Sequence, residues 1–248
     1  MTTKSLLGFT ALTLAALAVL VGLGLWQLKR LHWKEGLIAQ IETRTKAPPI
    51  ALKDATLMVG EGRDASYYRV RVSGRFHHEQ ERYLLVVSAG RFGWHVITPL
   101  ETGDGEMVLI DRGFVPDRLK DPSLRAEGEV EDVVTVTGIV RIPEIQGLFI
   151  PDNEPEANRW FWRDLKAMAQ SMFPGGTVAL VPFFLEAEKG EVPGGWPEGG
   201  QTRVELPNNH LQYAITWFLL AACLVVIYLA YVWKARSRSG GWQQEGNS

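Results

Sequence analysis

The sequence predicts an α+β membrane protein in which two transmembrane helices flank a mostly antiparallel β domain with one or two helices of its own. Three observations predict it. Ser5–Leu28 contains no charged residue, and Leu206–Trp233 contains none apart from a possible charge on His210. Each stretch exceeds the roughly 20 apolar residues that cross a bilayer. Between them, short runs of β-branched and aromatic residues alternate with turns rich in Gly, Pro and Asp, which is strand patterning. The 248 residues, 46% of them hydrophobic, suffice for one medium domain beyond the spans. A net charge of -2 argues against nucleic acid as a partner, which would call for a basic face.

The first span, 5–28, continues as an amphipathic helical extension over 29–46. Trp26, Arg30, Trp33, Leu37 and Ile41 recur at spacings of three and four and share a face. Trp26 and Trp33 read as interfacial anchors. Ala47-Pro48-Pro49 stops the helix, because proline removes a donor and disfavours α geometry before it. The positive start Met1–Lys4 suits a signal peptide. The apolar run is nevertheless too long for an h-region, and no small-residue cleavage site precedes Trp26-Gln27, so an uncleaved anchor is expected.

The β-rich domain is placed at 50–188. Tyr67–Phe76, Arg82–Ala89, Trp94–Leu100, Met107–Val115, Val133–Ile142 and Thr177–Glu188 read as strands. "ETGDGE" joins two of them as a hairpin, and Pro182 suggests an edge strand or a bulge. Arg163–Phe173 reads as a short helix. A Gly/Pro-rich loop, 189–205, leads to the second span, 206–233, and a basic tail, 234–248. Lys234, Arg236 and Arg238 in that tail, with Lys4 at the other end, place both termini in the cytoplasm and the domain outside it. Ala11, Ala15, Ala18 and Gly22 on one span, with Ala214, Ala221 and Ala222 on the other, are expected to let the helices pack closely. The single cysteine, Cys223, excludes an internal disulfide, thiol-based copper delivery and thioredoxin-like chemistry.

Candidate chemistry is sparse. "FHHEQE" puts His77, His78, Glu79 and Glu81 close together, but neighbours on a strand face opposite ways, so a solvated strand end is preferred over a metal site. His95 reads as structural and His32 as interfacial. Asp111-Arg112-Gly113 reads as a hydrogen-bonded turn held by Arg112, with Gly113 supplying unusual dihedrals. Hydrolase, P-loop and dinucleotide fingerprints are missing, and no enzymatic activity is expected. His210 differs. It stands in the first turn of a span, after Asn208-Asn209, where an ionisable group is a functional hypothesis by default and needs a partner. The helix N-terminus favours neutral, ligand-competent imidazole. Tyr213, Ala214 and Trp217 follow at three, four and seven, giving a surface that suits a flat, mostly apolar ligand with an iron centre. The alternative is a histidine bonded to headgroups or to the outer domain, and the residues alone leave both open.

"GLWQLKRLHWK" (24–34), "GWHVITPL" (93–100), "VLIDRGFVP" (108–116), "NRWFWRDL" (158–165) and "PNNHLQYAITWFLLA" (207–221) together resemble the surfeit-locus family of cytochrome c oxidase assembly factors. Asp111-Arg112-Gly113-Phe114 departs conservatively from the Asn-Arg-Gly-Trp of many members. The resemblance implies maturation of haem-copper oxidase, with haem a held transiently and supplied to the catalytic subunit. It implies His210 as ligand to the haem iron. Tyr213 and Trp217 are expected beside the ring, and Trp26 and Arg30 near its propionates. Partners so implied are the oxidase catalytic subunit and haem a synthase, in addition to the lipid bilayer. A bacterial inner (plasma) membrane is favoured over a mitochondrial one, since no Arg-rich presequence precedes the first span. The competing expectation is a membrane-anchored scaffold for oxidase subunits that binds no cofactor.

Overall fold

The structure, a computed structural model, describes residues 3–88, 90–176, 178–201 and 207–240. Its elements are α1 (Thr3–Lys46), β1 (Ile50–Ala51), α2 (Leu52–Gly60), β2 (Arg69–Phe76), β3 (Arg82–Ser88), β4 (Arg91–Thr102), β5 (Glu106–Pro116), β6 (Val134–Arg141), α3 (Leu165–Met172), β7 (Ala179–Ala187) and α4 (His210–Gly240). They form two compact units, Met1–Gln40 with Glu205–Ser248, and Ile41–Val204. The expected strands are present, and the second helix of the domain is α2. Ala89, Thr177 and much of the tail 234–248 lie outside the described residues.

In the second unit, β2 pairs with β6, β6 with β7, β5 with β4, and β4 with β2, all antiparallel, while β7 lies parallel to β5. These five strands therefore close into a ring, with β3 added to β4 and β1 added to β2. Closure leaves few exposed edges. Alternation assigns each side chain to a face. Val108 and Ile110 of β5, Val181, Phe183 and Leu185 of β7, and Val70 and Val72 of β2 fill the interior, joined by Leu52 and Ala55 of α2. The opposite parity, Leu109 and Phe184, meets Trp160 and Leu165, Met168 and Met172 against the outer face. Asp164 caps α3 by accepting from the Ala167 amide.

Of the two readings of Pro182, the bulge holds and the edge does not: β7 is paired on both sides, and a register irregularity between Leu180 and Phe184 absorbs the missing donor. Another expectation changes. Asp111-Arg112-Gly113 is not a turn but the interior of β5. Arg112 and Gly113 together oppose Val96 alone, so the strand bulges. Gly113 has φ +115°, and a Cβ there would strike the Glu198 carbonyl. Alternation carried on from Leu109 and Ile110 turns Asp111 outward and Arg112 inward.

The first unit pairs α1 with α4. Both are long and apolar enough to cross a membrane. The more enclosed residues of α1 recur as Thr10, Thr13, Leu17, Leu20, Gly24, Gln27, Leu31 and Lys34, alternating steps of three and four. On α4 the corresponding stripe is His210, Ala214, Phe218, Ala221, Leu224 and Tyr228. This is the spacing of a left-handed helix pair. Thr10 meets Tyr228 and Gln27 meets His210, so the helices run antiparallel. Ala214 and Ala221 lie on the contact face, as expected. Ala11, Ala15, Ala18, Gly22 and Ala222 instead face outward. The small residue that matters on α1 is Gly24, where a Cβ would approach the Phe218 ring to 2.6 Å.

Candidate functional site

Helix α4 begins just after Pro207, and its first backbone bond runs from the Tyr213 amide to the Asn209 carbonyl, 3.2 Å. The Lys34 ammonium on α1 donates to the Pro207 carbonyl and so helps hold this end of the pair. His210 is the first helical residue. Its Nδ1 donates to Gln27 Oε1 at 2.7 Å. In the structure His210 thus takes an amide on the neighbouring helix as its partner. Because the amide oxygen only accepts, the neutral ring carries its proton on Nδ1 and its lone pair on Nε2. Among the described residues no hydrogen bond occupies Nε2. Gln27 lies 17 positions beyond Thr10, about 26 Å along the helix. The two interhelical hydrogen bonds therefore sit near opposite ends of a stretch about as long as a hydrocarbon core is thick.

The other expected site residues are placed as follows. Tyr213 is exposed, and Trp217 is half-buried two turns beyond His210. Trp26 is exposed, next to Gln27 in sequence but turned away from the helix contact. Arg30 stacks its guanidinium on the Trp33 ring, 3.9 Å from the centroid. No hydrogen bond joins His210 to any of these four among the described residues. Ala214 is only 1% exposed, enclosed on the α1-facing stripe, so its small side chain admits the neighbouring helix and not a ring edge.

The β domain holds its own ionised clusters. Glu81 is buried and accepts from Arg125, and from Arg112 at 3.3 Å. Burial alone would raise its pKa; bonds from His78 and Arg125 and the charges of Arg125 and Arg112 hold it at about 2. Arg112 also donates to the Gly128 carbonyl. On the outer face the fully buried Asp111 accepts from His95 Nδ1 at 2.9 Å and from Arg163 at 2.8 Å. Burial opposes its ionisation, but the His95 and Arg163 charges keep it far below the usual carboxylate range. Burial likewise lowers the His95 pKa, and the Asp111 charge outweighs it and raises the value.

His78, Glu81 and Glu129 have ligand atoms within 4.8 Å of one another. Both Glu81 oxygens already face guanidinium groups, however, and a metal ion there would meet two cations. His77 bonds Glu79 and Glu101 at the surface, 3.2 and 3.0 Å away. These histidines are consumed by the architecture, as expected for His95.

Residues 14–222, from within α1 through the domain and into α4, match the model of the SURF1 family. The chain belongs to that family. It is 38% identical over 232 residues to Surfeit locus protein 1 of Mus musculus, covering 87% of this chain and 71% of that protein. The Homo sapiens protein is 38% identical over 230 residues, 86% of this chain and 72% of its own. A SURF1-like protein of Monosiga brevicollis is 37% identical over 235 residues, 90% and 87% of the two chains. SURF1-family membership establishes the resemblance read from the motifs. It does not reveal Gln27, which the motif reading passes over. The signal in the sequence is a polar amide at the end of the uncharged run 5–28, within one turn of Arg30.

Proposed function

We propose that this SURF1-family protein is a non-catalytic assembly factor for haem-copper cytochrome c oxidase that binds haem a through His210 and supports its insertion into the catalytic subunit. The two long apolar helices serve as membrane spans, with both termini cytoplasmic and the β domain outside. The observation that carries the reading is the state of His210. Its Nδ1 is engaged by Gln27 while Nε2 keeps its lone pair, at one end of an apolar helix pair. That donor set fits haem iron, for which neutral histidine is a common axial ligand. His210 would hold the iron. Exposed Tyr213 and half-buried Trp217 offer apolar faces beside it, and Trp26 and Arg30 lie within one turn of Gln27 on α1. When bound, haem supplies an iron centre and a flat apolar body; the helix pair supplies one nitrogen and cover from water.

The test is an absorption spectrum of the full-length protein purified after co-expression with haem a synthesis. A Soret band is expected in the wild type and a large loss of it in His210→Ala, at equal protein abundance. Undiminished haem in that variant would remove His210 as the ligand.

One observation favours the scaffold reading. Gln146 bonds the Ile150 carbonyl and Asp152, 2.9 Å each, and shapes a turn that displays Ile145, Leu148 and Phe149 at 94, 90 and 92% exposure. Such a surface suits contact with an apolar partner. A haem-free wild type under the same co-expression, with oxidase assembly still dependent on this turn, would favour it.

A further inference from the structure

We infer that Gln27 is a positioning residue for the iron ligand: its side-chain carbonyl, presented by α1, holds the His210 proton on Nδ1 and reserves Nε2 for the iron. The inference rests on the haem reading above. A neutral imidazole has two nitrogens and one proton, and the hydrogen bond made by one nitrogen decides which is left to ligate. The 2.7 Å bond to an oxygen that can only accept makes that decision here. It also fixes the ring's rotation about its helix, because the acceptor is 183 positions away on another element. Orientation of the ligand is therefore available only while α1 and α4 are paired, which makes α1 part of the site and more than an anchor. An accepting group behind a ligating histidine raises its basicity, and removing such a group costs about 10–100-fold in metal affinity. The neighbouring stripe brings the helices close: Gly24, one turn before Gln27, lets the Phe218 ring lie against α1.

The experiment uses the full chain in detergent, stripped of haem and titrated with iron protoporphyrin IX. Gln27→Leu should weaken binding about 10-fold or more and shift the reduction potential upward. Gln27→Glu keeps an acceptor, so it should restore affinity and shift the potential downward, because a more basic ligand favours ferric iron. Histidine labelled with 15N reads the haem-free protein directly, the His210 signal being the one missing from His210→Ala. Wild type and Gln27→Glu should show the Nδ1–H tautomer, and Gln27→Leu a mixture of both. Wild-type affinity and tautomer in Gln27→Leu would overturn the inference. So would a loss in Gln27→Leu that Gln27→Glu fails to rescue, because Gln27 would then only hold the helices together. Haem binding that survives His210→Ala overturns the haem reading itself, and the role of Gln27 with it, whatever tautomer is found.

Discussion

The two units treat polar groups in opposite ways. In the β domain, buried charge meets buried charge. Glu81 lies between Arg112 and Arg125, and Asp111 between His95 and Arg163. In the helix pair, polar side chains also meet singly, as Thr10 does with Tyr228 and Gln27 with His210. A saturated cluster has no capacity left for a ligand, whereas a single bond to one imidazole nitrogen leaves the other available. The difference teaches where to look for function. The domain's ionised groups hold its shape; of the two histidines in the helix pair, His32 bonds only the Leu28 carbonyl of its own helix, and His210 is the one fixed by the neighbouring helix.

The comparison breaks if a domain variant changes haem binding without changing stability. The largest effect is expected from Glu81→Ala, which strands two buried guanidinium groups and should cost about 3–5 kcal/mol. Denaturant unfolding of the full-length protein measures it, and the haem spectrum of the folded fraction should stay as in the wild type. Acid gives a somewhat smaller effect. Glu81 shifts from 4.5 to about 2, so its contribution is present above pH 4.5 and lost as pH falls toward 2. The loss should approach about 3 kcal/mol and should be absent in Glu81→Gln, as read from unfolding curves at several acidic pH values. Gly113→Ala comes next. At φ +115°, with the Glu198 carbonyl in the way, it should lower stability by about 2 kcal/mol, visible as a reduced Tm.

The smallest effect sharpens the comparison from the other side. Gly24→Ala brings a methyl against the Phe218 ring and should loosen the helix pair by about 1 kcal/mol. Its Tm should barely move. Its Soret band should change, because the Gln27–His210 bond lies one turn away. A large Tm drop with an unaltered spectrum would mean that the helix pair, like the domain, is built for stability alone.

Much of this molecule follows from the order of its residues. Apolar runs without charge fix two long helices, since nothing in them can be left to water. Alternation and Gly/Asp turns fix most of the strands. A histidine in the first turn of such a helix demands a partner. Those are local facts, carried by side-chain chemistry and a period of two or 3.6 residues. The tertiary structure decided the rest. Ring closure depends on β4 returning to β2, a pairing between strands that no short-range signal specifies. Asp111 and Arg112 belong to different clusters because β5 runs through them as a strand, in which neighbours face opposite ways, where the residues alone read as a turn. Which stripe of α1 meets α4 was decided by the partner's side chains, so Thr13 and Gly24 are enclosed while Ala11, Ala15 and Ala18 are not. The sequence alone could say that His210 needs an acceptor. Only the pairing of two helices 183 positions apart could make that acceptor Gln27, because a hydrogen bond is set by distance and direction in space, and the chain between its ends carries no record of either.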